Sequence, residues 1–111
     1  MKTISQIKIV YADTHEGHRN VVTIENTLEK CQEIVGGHIE TVSFAGLREK
    51  GILIVCNEEG LLIGLEPNEN LFPYFICGDV FFTTYNDEGD FVSLSDEQVA
   101  YIFEHFHWER D

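Results

Sequence analysis

Four potential metal ligands stand within six residues of chain: Asp13, His15, Glu16 and His18. Two imidazoles and two carboxylates are donors that zinc accepts. Zinc sites, however, draw further Cys or His ligands from a second place at recurring spacing, and the sequence offers no such pair. A polar loop has the same composition, so no metal and no other cofactor is assigned. His105 and His107 lie two apart, near the end of an expected helix, and so point to different sides of it. There their partial positive charge favours the helix dipole. Asn86-Asp87-Glu88-Gly89-Asp90 is too short for a calcium loop, which spreads its oxygen ligands over about twelve residues.

Nucleophilic chemistry has as little support. Neither a G-x-S-x-G elbow nor a phosphate-binding loop is present. Cys31, Cys56 and Cys77 each sit in an apolar run, where cysteine packs as a small hydrophobe. Their odd number and wide spacing argue against a disulfide framework and fit a reducing cytoplasm. Cys77 is the best-placed thiol for reactivity, because Gly78-Asp79 follows it and can break the strand surface. No catalytic residue is assigned. An enzyme or ligand-binding alternative would use a polar pocket near His15, His18 and Asp79.

Charge is the feature that does stand out. From Gly51 to Glu109 there is no lysine and no arginine, while the same stretch holds twelve carboxylates. Over all 111 residues, 7 basic and 20 acidic side chains give a net charge of −13. Such a surface repels nucleic acid and anionic membranes and attracts basic proteins and cations. Eight Phe, four Tyr and one Trp, with 43% hydrophobic residues, separate the chain from a disordered acidic tail. The length suits one domain, residues 1–111. No apolar h-region follows Met1-Lys2, and no apolar run is long enough to cross a bilayer, so a cytoplasmic protein is expected.

The elements that must position these residues follow from periodicity. Residues 4–12 and 21–24 read as strands flanking a polar loop. Asn26 with Glu29 reads as a capping box, and Leu28, Cys31, Ile34 and Val35 mark one helix face, ended by Gly36-Gly37. Residues 38–44 read as a strand, 45–51 as a polar connection, and the apolar run 52–56 as a central strand. Asn57-Glu58-Glu59-Gly60 reads as a hairpin turn returning through a strand over 61–65. A loop with Pro67 and Pro73 precedes a long strand within 74–85. Asn86-Asp87-Glu88-Gly89 forms a second hairpin turn into 91–94. Ser95 and Gln98 form a capping box for a helix whose apolar stripe is Val99, Ile102, Phe103 and Phe106. The expectation is an α+β fold: a mostly antiparallel sheet with two short helices, about 26–36 and 95–107, packed on one face. Tyr101, Phe103, Phe106 and Trp108 cannot all face one core from one helix; Tyr101 and Trp108, seven apart on one stripe, are expected to cover the sheet edge as core or satellite packing, with a dimer or partner surface as the alternative.

Several segments, taken in order, carry a family resemblance. They are Ile24-Glu25-Asn26-Thr27-Leu28-Glu29, then Gln32 to Glu40, Val55 to Gly60, Gly64 to Asn68, Cys77 to Val80 and Gly89 to Glu97. This ordered set resembles the domain-of-unknown-function 3846 family over residues 4–104. The resemblance implies a protein of plasmids, phages or integrative elements. It supplies no catalytic residues.

Charge and resemblance together lead to a functional expectation. The chain reads as a non-enzymatic acidic binding protein of a mobile element. Its partner is expected to be basic, such as a nucleic-acid-binding restriction or CRISPR effector whose groove accepts a DNA mimic. Direct nucleic-acid and membrane binding are not expected. Glu58, Glu59, Asp87, Glu88 and Asp90 are the candidate partner-binding residues, expected to converge as two hairpin tips on one acidic edge. A dimeric adaptor built through the Tyr101–Trp108 segment is a further alternative.

Overall fold

Alternating apolar residues on three long strands dictate a sheet with two buried faces. The computed structural model describes residues 5–14 and 18–109. The strands are β1 (Gln6–Ala12), β2 (Arg19–Glu25), β3 (Ile39–Val42), β4 (Leu53–Asn57), β5 (Val80–Tyr85) and β6 (Phe91–Val92). The helices are α1 (Leu28–Val35), α2 (Ala45–Glu49) and α3 (Asp96–His105). The sheet order is β2-β1-β5-β4-β3, with β6 pairing the end of β5, and all pairings are antiparallel. The α+β expectation holds.

One detail of packing differs. The helices lie on opposite faces, because side chains alternate across each strand. Ile7 and Ile9 of β1, Val55 of β4 and Phe81 of β5 share a buried cluster with Cys31 and Val35 of α1. Val10 and Ala12, Ile54 and Cys56, and Val80 and Phe82 point the other way. They pack with Val99, Ile102 and Phe103 of α3 and with Leu47 of α2. A short chain thus builds two thin cores. Among the described residues no helix is long and apolar enough to cross a membrane.

Local chemistry explains the helix ends. Thr27, not Asn26, caps α1: its side chain accepts from Lys30 N–H. Asn26 instead donates its amide to Phe91 O at 2.9 Å, tying the helix entrance to β6. Gly36, at φ 79°, takes the left-handed position that ends the helix. The Ser95–Gln98 capping box on α3 is present in both directions. Gln98 also donates to Lys50 O and Thr84 Oγ1, clamping α3 to the start of β4 and the end of β5.

Two sequence expectations are corrected. Residues 45–49 are helical rather than an irregular connection, with Leu47 fully buried. Residues 61–65 do not form a strand. β4 already has β3 on one side and β5 on the other, so a local partner has no edge to join. Residues 58–64 form a run of turns instead, fastened by Ile63 N–H to Glu59 O and Leu65 N–H to Gly60 O. Trp108 packs in the core, as expected, but from beyond the end of α3, folded back at 7% exposure. Its backbone N–H donates to Phe103 O and its indole N–H to Asn70 O.

Candidate functional site

The end of the sheet where β4 finishes and β5 begins carries the most unusual surface. Two segments build it: the turns at 58–66 and the loop at 67–77. Gly78 N–H donates to Glu66 O at 2.7 Å and Asn68 N–H to Ile76 O at 2.8 Å, joining the two segments and closing the loop. Asn68 is the anchor. Its side chain is almost fully buried, and its amide donates to Ala12 O and Gly78 O, while its Oδ1 accepts from Asn70 N–H. Asn70 reaches on to Asp13 O. Polar groups that would otherwise face water are thereby spent on holding the backbone.

What this scaffold presents is apolar. Leu62 is 85% exposed, Phe72 81%, Phe75 69% and Leu61 68%, with Ile63 also exposed. Leu61 and Phe75 line a shallow groove with Glu40 and Glu58. Glu59, Glu66 and Glu69 are exposed on the same two segments. The two phenylalanines alone leave roughly 300 Å² in water. Leu61 and Phe75 stand side by side in that groove, while Phe72 faces a neighbouring cleft, so the end of the sheet presents exposed apolar side chains on more than one side, the kind of surface that often serves binding.

A larger open cleft of about 1090 Å³ adjoins this end, with Phe72 on its wall. Asp13, Arg19, Glu69, His105 and Trp108 also line it. The Arg19 guanidinium lies 5.6 Å from the Trp108 ring centroid, a cation–π distance. His105 Nε2 meets Tyr74 OH at 3.1 Å, and His107 is exposed beside it.

The polar pocket expected near His15, His18 and Asp79 is partly visible. His15 and Glu16 lie outside the described residues, so the four-ligand set cannot be assembled from them. Asp79 Oδ1 accepts from Thr14 N–H at 2.9 Å and Thr14 Oγ1 at 3.2 Å, while Tyr11 OH donates to its Oδ2 at 3.3 Å. These bonds make Asp79 a staple for the chain leaving β1. Burial, with Asp79 and Asp13 nearby, pushes the Tyr11 phenol up to about 12. Asp13 accepts from His18 N–H and lies 3.4 Å from His18 Nδ1. Among the described residues no group of three or more His, Cys, Asp or Glu could hold a metal ion.

The thiols are buried. Burial raises the Cys31 thiol; burial and then Glu40 push the Cys56 thiol up to about 11. Cys77, singled out for reactivity, is 7% exposed beneath a bridge to Pro67. The strand surface does break at Gly78, but Leu65 packs over the gap.

The five candidate carboxylates do not converge. β4 and β5 run antiparallel, with Leu53 opposite Thr83 and Val55 opposite Phe81. Glu58 and Glu59 therefore leave β4 beside the start of β5, whereas Asp87, Glu88 and Asp90 follow its far end. The separation is roughly 25 Å at about 3.3 Å per strand residue. The expected single acidic edge is thus two acidic ends. Each turn is closed by its asparagine, Asn57 Oδ1 accepting from Glu59 N–H and Asn86 Oδ1 from Glu88 N–H, but of the two turn glycines only Gly89 takes the positive φ expected of a hairpin. Other exposed carboxylates stand on both faces, Glu29 and Glu33 on α1 and Asp96, Glu97 and Glu104 on α3.

Sequence reasoning missed the apolar end because it placed Leu61–Leu65 in a strand paired with the preceding one. The signal was available: an apolar run without alternation, bounded by Gly60 and Gly64, followed by Pro67. The profile of a family described as "Domain of unknown function (DUF3846)" matches residues 7–107. No curated protein and no solved structure gives a match.

Proposed function

Since the chain belongs to the DUF3846 family, whose description assigns no activity, its chemistry must be argued from its surface, and we propose a non-enzymatic binding protein. Its docking surface is the apolar end formed by Leu61, Leu62, Ile63, Phe72 and Phe75, rimmed by Glu58, Glu59, Glu66 and Glu69. The observation that carries this reading is Leu62, 85% exposed on a segment whose backbone is tied down. A fastened apolar surface loses little conformational freedom on association, so more of its burial becomes affinity.

The partner's chemistry follows from the rim. Carboxylates around an apolar centre match a protein with an apolar pocket edged by lysine or arginine. Proteins that handle nucleic acid carry such basic surfaces to meet phosphates. Within this proposal the partner is a nucleic-acid-binding effector, and the domain would act as an inhibitor of host defence, of the anti-restriction or anti-CRISPR kind. The acidic hairpin at 86–90 would then be a secondary contact for a partner long enough to span the sheet.

Three variants test it in one capture experiment from cells that carry the protein. One is Leu62→Ser/Phe75→Ser, one is Glu58→Gln/Glu59→Gln, and one is Asp87→Asn/Glu88→Gln/Asp90→Asn. The first two are expected to lose a salt-sensitive basic partner that the wild type retains, and the third to weaken it less. The same captured proteins from wild type and the first variant would refute the proposal.

A further inference from the structure

The outer edge of β2 is long and self-complementary. Among the described residues no strand pairs with it, and Val21 and Val22 are both exposed. Register and hydrogen bonds fix which backbone groups face outward. β1 pairs β2 with Ile9 opposite Val22, and the flanking bonds are Asn26 N–H to Ser5 O and Asp13 N–H to His18 O. Hydrogen-bonded and non-hydrogen-bonded pairs alternate along an antiparallel ladder. Residues 18, 20, 22, 24 and 26 therefore turn their N–H and C=O toward β1. Lys8 obeys the same alternation from the other strand: its N–H reaches Ser93 Oγ and its C=O takes Leu94 N–H, both away from β2. Arg19, Val21, Thr23 and Glu25 are left with their N–H and C=O directed outward, a row that invites another strand.

We propose that this edge pairs with the same edge of a second copy, antiparallel about a two-fold axis at Val22. That axis sets Arg19 opposite Glu25 of the other copy and Val21 opposite its Thr23. All four outward residues then fall in hydrogen-bonded pairs, and the two sheets become one. Arg19 and Glu25 lie on the same face of β2, so each meets its opposite charge directly across the ladder. Moving the axis by one residue, to Val21 or Thr23, loses this charge match. The remaining composition agrees: residues 18–24 contain no carboxylate in a chain of net charge −13, so this is the edge on which two copies repel least. The competing edge, β3, has four residues and carries Glu40. Isologous pairing of this sort closes on itself and stops at a dimer.

Sedimentation velocity, from micromolar to near-millimolar protein, tests the proposal with exposed-residue variants. Wild type is expected to dimerise. Arg19→Glu and Glu25→Arg each replace both attractive pairs with repulsive ones and should weaken the dimer on the order of thirtyfold. Mixing these two variants sets two acidic side chains of one copy against two basic side chains of the other. Both pairs are attractive again, and dimerisation should return as a heterodimer. Thr23→Pro removes an outward N–H at an edge that tolerates proline and should also give monomer. Unchanged circular dichroism shows that each variant is folded. A monomeric wild type, single variants that remain dimeric, or a mixture that stays monomeric would each overturn the assignment. Arg19 also lines the cleft beside the apolar end, whereas Thr23 and Glu25 do not, so Glu25→Arg and Thr23→Pro read dimerisation separately from docking there.

Discussion

Asn68→Ala should unfasten the proposed docking surface, and its cost can be worked from the bonds it removes. The side chain donates to Ala12 O at 3.1 Å and Gly78 O at 2.9 Å, and accepts from Asn70 N–H at 3.2 Å and Asn70 Nδ2 at 3.0 Å. It is 2% exposed, so water cannot readily replace it. A net hydrogen bond contributes about 1 kcal/mol, and a buried group left unsatisfied costs about 1–3 kcal/mol. Two buried carbonyls that each lose a donor and a loosened Asn70 together should destabilise the fold by about 3 kcal/mol. With about 2.1 cal/mol/K of unfolding entropy per residue, that lowers Tm by about 13 °C for this length. Calorimetry reads the shift, and urea titration reads the free energy independently. Hydrogen exchange should rise first at residues 66–78, ahead of the sheet. A Tm loss under about 4 °C, with residues 66–78 still protected, would refute the view that Asn68 holds this end together.

Further expectations follow from the same contacts. Ser95→Ala removes the acceptor for Gln98 N–H and should cost about 1 kcal/mol in urea unfolding. Tyr11 has its phenol raised above the ordinary 10 to about 12, so the folded state holds that proton more tightly. Its contribution is complete below pH 10 and is lost as pH rises through about 12; Tyr11→Phe should flatten that part of the stability curve. The buried thiols Cys31, Cys56 and Cys77 should react slowly with a thiol reagent in native protein and rapidly in denaturant. Fast labelling of native Cys77 would contradict the packing around it.

Much of the fold is legible in the sequence because local chemistry and tertiary packing agree there. The Ser95–Gln98 box, the apolar stripe of α3 and the alternation on β1 each point one way. Thr27 displaces Asn26 as cap by one residue because Asn26 has a better use in bonding β6. The 61–65 expectation fails for a non-local reason. A run of Leu and Ile beside a good turn reads as a hairpin, but β3, earlier in the chain, already occupies that flank of β4. The same error hides the site, since residues placed in a paired strand are not read as an exposed turn. Trp108 reaches its expected core position by a route helical spacing does not show, because beyond the end of α3 the chain turns back through His107 at φ 57°. Composition reads correctly as acidic, but composition has no direction. Only the antiparallel register of β4 and β5 shows that Glu58-Glu59 and Asp87-Glu88-Asp90 stand at opposite ends.

The central claim is that a partner docks on the apolar end of the sheet. Calorimetric titration of the captured basic partner against wild type and Leu62→Ser/Phe75→Ser tests it most directly. Anchors of this kind contribute at least about 2 kcal/mol each, so the double variant should bind at least about a hundredfold more weakly while its Tm stays within a few degrees. Equal affinity for both proteins would contradict the claim, and would move the binding surface elsewhere on the molecule.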